Sequence, residues 1–405
     1  MVELKLRSRW GAIVAFALVG AATQLVWLNF AGVTTVAATR YNVSENAIGW
    51  LAQVFPLLYV VLAIPAGLIL DKWFRSGLIA GAVLTALGAL LRLGDTYNWL
   101  LAGQLLASIA QPLVLNAVTG ITGRYLSEKD RPTGIAAGTA SIFAGMVIAF
   151  ALSAILADSN DLPTMLWLTA IFSVIAAAWL IIALRKPGEH KPEHHRPDRN
   201  ALKIAWSDPL IRRLCLLAIF PFGVFVAMTT FTQALLEPAG VTAGTASTIL
   251  LVNVVAGVIG SAIVPVLVVR HHAEAALLVA SLSITALACA ALALWPGAVL
   301  AFIAITLIGF LLLPALPIVL ELVERRTGEA EGTAAGLIWM SGNLGGLIVA
   351  TIVGLLVDHP LAAFLVMAAV ALTAIPGAQS LRRPIATLNT PTPMTPPTTP
   401  IAPPT

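Results

Sequence analysis

Gln24, Trp27, Ala31 and Thr34 follow one another at intervals of three and four inside an apolar run that extends from about residue 10 to 38. That spacing places them on one face of a helix. Gln104, Ser108, Gln111 and Leu115 repeat the pattern, and Val226, Thr229, Thr230 and Gln233 form a third polar stripe. Amides and hydroxyls on an apolar helix find no partner in hydrocarbon. They belong either on the wall of a polar cavity or at contacts that tie helices together. For Trp27 and Gln111 the cavity wall is the expectation, with Gln24, Gln104, Thr230 and Gln233 completing the binding set. Asn29, off the Trp27 face, is expected to join its helix to a neighbour. An indole face attracts a cation by roughly 0.5 to 2 kcal/mol and can help cage a quaternary ammonium group. Amide oxygens would complete that shell, and neutral or zwitterionic solutes suit the same surroundings.

What the stripes lack narrows the chemistry. The Asp and Glu residues fall in loops or at helix ends, the nearest to an interior position being Asp71, Glu237 and Glu321. A proton-coupled site in a membrane needs an ionisable group at depth, so facilitated or electrically driven movement is expected instead. All six His lie in loops, which leaves no axial ligand for haem at mid-depth beyond the weak candidates Met228 and Met340. His190, His194 and His195 read as a solvated linker rather than a metal site, and no cofactor is expected. Cys215 and Cys289 fall inside apolar runs and read as buried thiols. No Walker loop, H-E-x-x-H, G-x-S-x-G or C-x-x-C motif points to an enzyme.

The elements that position these residues must be membrane helices. The chain has 405 residues, of which 59% are hydrophobic and only 10% charged, against about 25% charged in soluble domains. Twelve apolar runs are long enough to span, at roughly 10 to 38, 46 to 70, 77 to 95, 98 to 123, 132 to 156, 163 to 184, 210 to 236, 243 to 269, 274 to 294, 298 to 322, 332 to 357 and 361 to 381. The first is too long and polar-spotted for a cleaved signal peptide and is expected to be retained. With the N-terminus inside, all the Lys and Arg except Arg40 and Arg92 fall on the cytoplasmic side. The net charge of +4 thus reflects membrane sidedness, not nucleic-acid binding.

Residues 1–184 form one expected six-helix bundle and residues 210–383 the other. Between them, 185–209 is a cytoplasmic linker containing RKPGEHKPEHHRPDRN, and 384–405 is a Pro/Thr-rich tail expected to be disordered. GIAAG at 134–138 and GTAAG at 332–336 open corresponding helices 198 residues apart, and the same offset carries Lys72 to Arg270. Duplicated halves fit both signals.

Two such halves are the arrangement of transporters that rock about a midplane site. GLILDKWFR at 67–75 resembles the major facilitator loop motif G-x-L-x-D-[RK]-x-G-[RK], with Gly67, Asp71, Lys72 and Arg75 matching and Phe74 in place of the second Gly. Gly67 would let another backbone approach, and Asp71 would pair with basic groups or cap a helix of the other half. The plainer alternative is that DKWFR only stops a helix at the membrane surface.

Longer stretches narrow the likeness. WLAQVFPLLYVVLAIPAGLILD (50–71), AQPLVLN (110–116), GTASTILLVNVVAGVIGS (244–261) and LPIVLELVERRTGEAEGTAAGL (316–337) resemble the feline leukaemia virus subgroup C receptor-like transporters, solute carrier family 49. The resemblance implies transport of small organic cations such as choline and ethanolamine; the family has also been associated with haem. It also implies a substrate-facing Trp on the first helix and a Gln after Ala on the fourth, which Trp27 and Gln111 match. The family's Tyr-Tyr at the outer end of the seventh helix is absent, Glu237-Pro238 standing near that place.

The expectation is therefore an all-α integral membrane protein of twelve transmembrane helices in two pseudo-symmetric six-helix bundles, the major facilitator fold. It would sit as a monomer among lipids of the cell membrane with both termini cytoplasmic and carry a small-molecule solute, possible cargoes including a choline-like amine. Gly67, Asp71, Lys72, Arg75 and Glu321 would bias its states. An efflux carrier for lipophilic compounds, or a receptor on a transporter scaffold, are the alternatives.

Overall fold

The computed structural model describes residues 8–188, 206–270, 273–315 and 331–381, with 203, 318, 319 and 322. Glu321 and the greater part of both the linker and the tail lie outside them. The described residues are helical and contain no strand. The first expected run is two helices, α1 (Trp10–Leu28) and α2 (Thr34–Tyr41), joined by a short 3-10 turn at Ala31–Val33. The other half of the protein packs against the break: Ser247 donates to the Gly32 carbonyl at 2.9 Å, and a Cβ on Gly32 would overlap that hydroxyl.

The next helix, α3 (Glu45–Leu91), has 47 residues, about 70 Å if straight and more than twice a bilayer core. It is not straight. Trp73 leaves helical geometry at φ −132°, ψ 55°, and Gly77 packs on Ile69 and Leu70. In a straight helix residues eight apart would be separated by about 12 Å. Contacts with α4 (Tyr97–Leu115) give the direction of each arm. Tyr97, Gln104 and Asn116 donate to the carbonyls of Ala47, Leu51 and Ala63, so the first arm runs parallel to α4. Gly88 abuts Gly103 while Gly81 abuts Ala110, so the second arm runs antiparallel. α3 is a hairpin of two spans without a loop.

After α5 (Val118–Tyr125) come α6 (Arg131–Ile155) and α7 (Leu162–Ala183), which complete the first half. The second holds α8 (Pro209–Leu236), α9 (Ala243–Arg270), α10 (Glu274–Leu294), α11 (Ala298–Leu312), α12 (Glu331–Leu355) and α13 (Pro360–Ser380). Among the described residues ten helices are long and apolar enough to cross a membrane, against the twelve expected. Two reasons account for the difference: α3 is two spanning helices that follow each other directly across the break at Trp73, and α11 is apolar but has 15 residues, the chain beyond it being described only in part.

The halves repeat each other's packing. Gly145 on α6 lies on the Ala21 backbone of α1, and Gly345 on α12 lies on the Ile219 backbone of α8. Ala21 and Ile219 are separated by the repeat offset of 198. At both crossings a side chain on the glycine would meet a carbonyl, so small residues set the interhelical distance, as is usual in membranes. Among the described residues, every hydrogen bond between the halves lies at one end of the molecule, the end far from Trp10.

Candidate functional site

Between the halves lies a cavity of about 280 Å³, close to the lower bound for small-molecule sites, about 300 Å³. Gln24 and Trp27 on α1, Tyr59 on α3 and Gln111 on α4 line it from one half. Phe222 and Phe225 on α8, with Trp339 and Asn343 on α12, line it from the other.

Trp27 presents a ring and nothing else. Its indole N–H is spent on the Ala52 carbonyl at 2.9 Å, and Phe55 stacks on it at 6.2 Å between centroids, 29° off parallel. Tyr59 is used similarly, its hydroxyl donating to Asn116 Oδ1 at 2.9 Å. Opposite, Trp339 meets Phe222 edge to face at 6.0 Å, and Phe222 and Phe225 lie 6.4 Å apart. The polar capacity is neutral and includes free acceptors. Gln24 Nε2 donates to Thr23 at 3.3 Å while its Oε1 is buried with no partner. Asn343 Nδ2 donates to the Trp339 carbonyl at 2.9 Å, which frees its oxygen. The Gln111 amide makes no hydrogen bond among the described residues, and Ser261 Oγ is likewise unpartnered at the wall. No Asp, Glu, Lys, Arg or His appears among the described lining residues. Aromatic faces and neutral oxygens of this kind suit a small ammonium ion or a neutral hydrogen-bond donor. No group of three or more His, Cys, Asp or Glu able to hold a metal occurs among the described residues.

Three residues expected in the binding set stand elsewhere. Gln104 is fully buried against the second span, its amide donating to the Leu51 carbonyl at 3.0 Å. Thr230 and Gln233 belong to the far-end contact between the halves. Gln233 Oε1 accepts from the Thr35 N–H at 2.7 Å, Gln233 Nε2 donates to Thr35 Oγ1 at 2.6 Å, and Thr34 Oγ1 donates to the Thr230 carbonyl at 3.4 Å. Phe231 reinforces this seal by packing on Gly49 and Gly354. The seventh span therefore touches the cavity lower down, through Phe222 and Phe225, and uses the Gln233 amide and the Thr230 carbonyl above it.

The expected gating residues are at the opposite end. Gly67 faces open space, so the close approach expected there is not made in this conformation. Asp71, Lys72 and Arg75 are exposed, with Lys72 Nζ 4.3 Å over the Trp73 ring. Among the described residues none of them makes a hydrogen bond or ion pair to the other half.

Asn29 ties three helices. Its Nδ2 donates to Thr169 at 3.3 Å, its carbonyl accepts from Ser153 at 2.9 Å, and its Oδ1 accepts from Arg92 at 2.6 Å. Arg92, read from sequence as an outer-side charge, is fully buried. Burying an ion without a counter-charge costs several kcal/mol, so this residue requires a reason. Arg40 contrasts with it, pairing at the surface with Asp95.

Residues 12–350 match the family model described as Major Facilitator Superfamily. The chain is 28% identical over 366 residues to solute carrier family 49 member A3 of Danio rerio, covering 84% of this chain and 76% of that protein. It is 26% identical over 385 residues to the choline/ethanolamine transporter FLVCR2 of Homo sapiens, covering 87% and 73%. Among solved structures, an inward-facing, unoccupied bacterial homologue of the human lysosomal transporter Spinster aligns with TM-score 0.70 at 15% identity, over 93% of this chain and 97% of that one. The nucleoside transporter NupG aligns with TM-score 0.68 at 13% identity, over 94% and 100%. Those two likenesses are of fold. The chain belongs to the Major Facilitator Superfamily, as a multi-pass membrane transporter similar to the FLVCR and solute carrier family 49 proteins.

Proposed function

We propose that this protein moves a small organic solute, a choline-like amine, across the cell membrane by alternating access, driven by the solute's own gradient. The observation that carries the reading is the cavity wall: Trp27, Tyr59, Phe222, Phe225 and Trp339 surround it, Gln24 and Gln111 supply neutral oxygens, and no described lining side chain is ionised. A quaternary ammonium needs ring faces rather than hydrogen-bond acceptors, and Trp27 offers a ring whose N–H is already taken. The names of the FLVCR relatives support the same substrate class.

The Lys and Arg distribution supports cytoplasmic termini; on that reading the sealed far end is the outer face and this conformation is inward-facing. Gly67, Asp71, Lys72 and Arg75 then lie at the cytoplasmic rim, where they would dock on the other half when the carrier opens outward. Counterflow of labelled choline in proteoliposomes tests the function. Exchange is expected with the wild type and is lost in Trp27→Ala, which still folds. A protein that binds choline without exchanging it would be a receptor, and unchanged exchange by Trp27→Ala would remove the ring from the site.

A further inference from the structure

Arg92 lies at the outer end of the second arm of α3, with no surface exposure. No acidic side chain pairs with it among the described residues. Its partners are the Val26 carbonyl at 3.2 Å, Asn29 Oδ1 at 2.6 Å and the face of Phe30, 5.1 Å from the guanidinium carbon, while Nε has none. All three partners belong to the last turn of α1 and the break that follows it. A helix ends with carbonyls that have no partner further along the chain, and its C-terminus carries the negative end of the helix dipole. A buried guanidinium is stabilised there without a carboxylate. Its planar fork reaches two acceptors at once, which an ammonium cannot do in the same way.

Trp27 is the residue inside this grip. Arg92 holds the residue before it and the residue two after it. Ala52, on the other arm of the same hairpin, takes the indole N–H at 2.9 Å. The two arms of α3 thus fix the backbone and the ring of one side chain. We infer that Arg92 is a positioning residue for Trp27: it pins the final turn of α1 to the third span and so sets the depth and tilt of the indole in the cavity. This role rests on the carrier function proposed above.

The test uses the full chain in proteoliposomes with labelled choline. Arg92→Lys keeps the charge and loses the fork; it is expected to raise the half-saturation concentration about tenfold with the maximal rate within about twofold. Asn29→Ser removes one acceptor and is expected to act in the same direction, which keeps the idea open to refutation if Arg92→Lys does not fold. In a Trp27→Ala background, where no ring is left to place, neither change should weaken the residual binding of labelled choline further. Additive effects, or an unchanged half-saturation in both variants, would overturn the inference. A ligand-free measurement separates this from the carrier reading. Hydrogen exchange over residues 25–33 should be faster in Arg92→Lys and unchanged in the other helices. Absence of choline exchange by the wild type would refute the substrate, whereas unchanged local protection would refute the pin whatever the cargo.

Discussion

Gln233 and Thr35 hold each other by two hydrogen bonds, from the Thr35 N–H to Gln233 Oε1 at 2.7 Å and from Gln233 Nε2 to Thr35 Oγ1 at 2.6 Å. They are 198 residues apart, the offset of the internal repeat. Equivalent positions of the two halves therefore meet through neutral groups at the end far from Trp10.

Replacing Gln233 by Leu should loosen that closure. Two hydrogen bonds at a net of about 1 kcal/mol each amount to about 2 kcal/mol, or roughly thirtyfold in a two-state equilibrium. The check is the reaction rate of an impermeant thiol reagent with Thr230→Cys, in a background lacking Cys215 and Cys289. The rate should rise in Gln233→Leu, and an unchanged rate would show that the bonds do not hold the outer end shut.

The half-saturation concentration for choline should be flat with pH between about 6 and 8, since no described lining residue carries an ionisable group that changes charge there. Gln111→Glu would place an acid in an apolar wall, where desolvation raises its pKa. The variant should bind the cation more tightly at high pH than at low pH, as the carboxylate is the form that attracts it. Half-saturation measured across that range decides the matter.

Asp95 lies in the loop after the third span. Burial pushes its carboxyl up, but hydrogen bonds from Arg40 and Tyr41 outweigh this and hold it below the usual carboxylate range. A depressed folded pKa means the contribution is present above the unfolded value and lost as pH falls through the folded one. Both side chains of the pair are part-exposed, so the contribution should be below about 1 kcal/mol. Asp95→Asn, which tolerates the left-handed backbone there (φ 51°), should lower thermal stability at neutral pH and converge with the wild type below about pH 4. Melting curves at both pH values provide the test.

Gly345→Ala should destabilise by about 1 to 3 kcal/mol, because its Cβ would be driven into the Ile219 backbone. Gly67→Ala meets nothing within 4 Å and should leave the melting temperature unchanged. Slower transport by Gly67→Ala despite unchanged melting would place its close approach in the outward-open state; wild-type transport would reduce it to a bystander.

Periodicity in the sequence singles out Gln24, Trp27 and Gln111, which the structure places at the cavity wall, because amides within an apolar run are visible against it. The same signal drew in Gln104, Thr230 and Gln233, since polarity in a membrane helix shows only that a side chain avoids lipid. It does not separate a cavity wall from a seam between bundles. The opposite aromatic wall was harder to read: Phe222, Phe225 and Trp339 are indistinguishable by type from lipid-facing rings such as Trp167 and Trp179, which are exposed. The repeat held the missing signal, because adding its offset of 198 to Gln24 and Trp27 gives Phe222 and Phe225. Arg92 was read as an outer-loop charge because it ends an apolar run, and only tertiary packing shows what surrounds it. The break after α1, and the one between α4 and α5 inside the run expected at 98 to 123, are not legible for a related reason, as Gly32 and Asn116 act through contacts distant in sequence.

The elbow at Trp73 has a mechanical meaning. Because the second and third spans meet at a single non-helical residue, Asp71 and Lys72 stand beside a hinge rather than on a long tether. With the orientation proposed above, a push on the cytoplasmic rim would reach both arms. One arm ends near Ala52, which grips the Trp27 ring, and the other ends at Arg92, which grips its backbone.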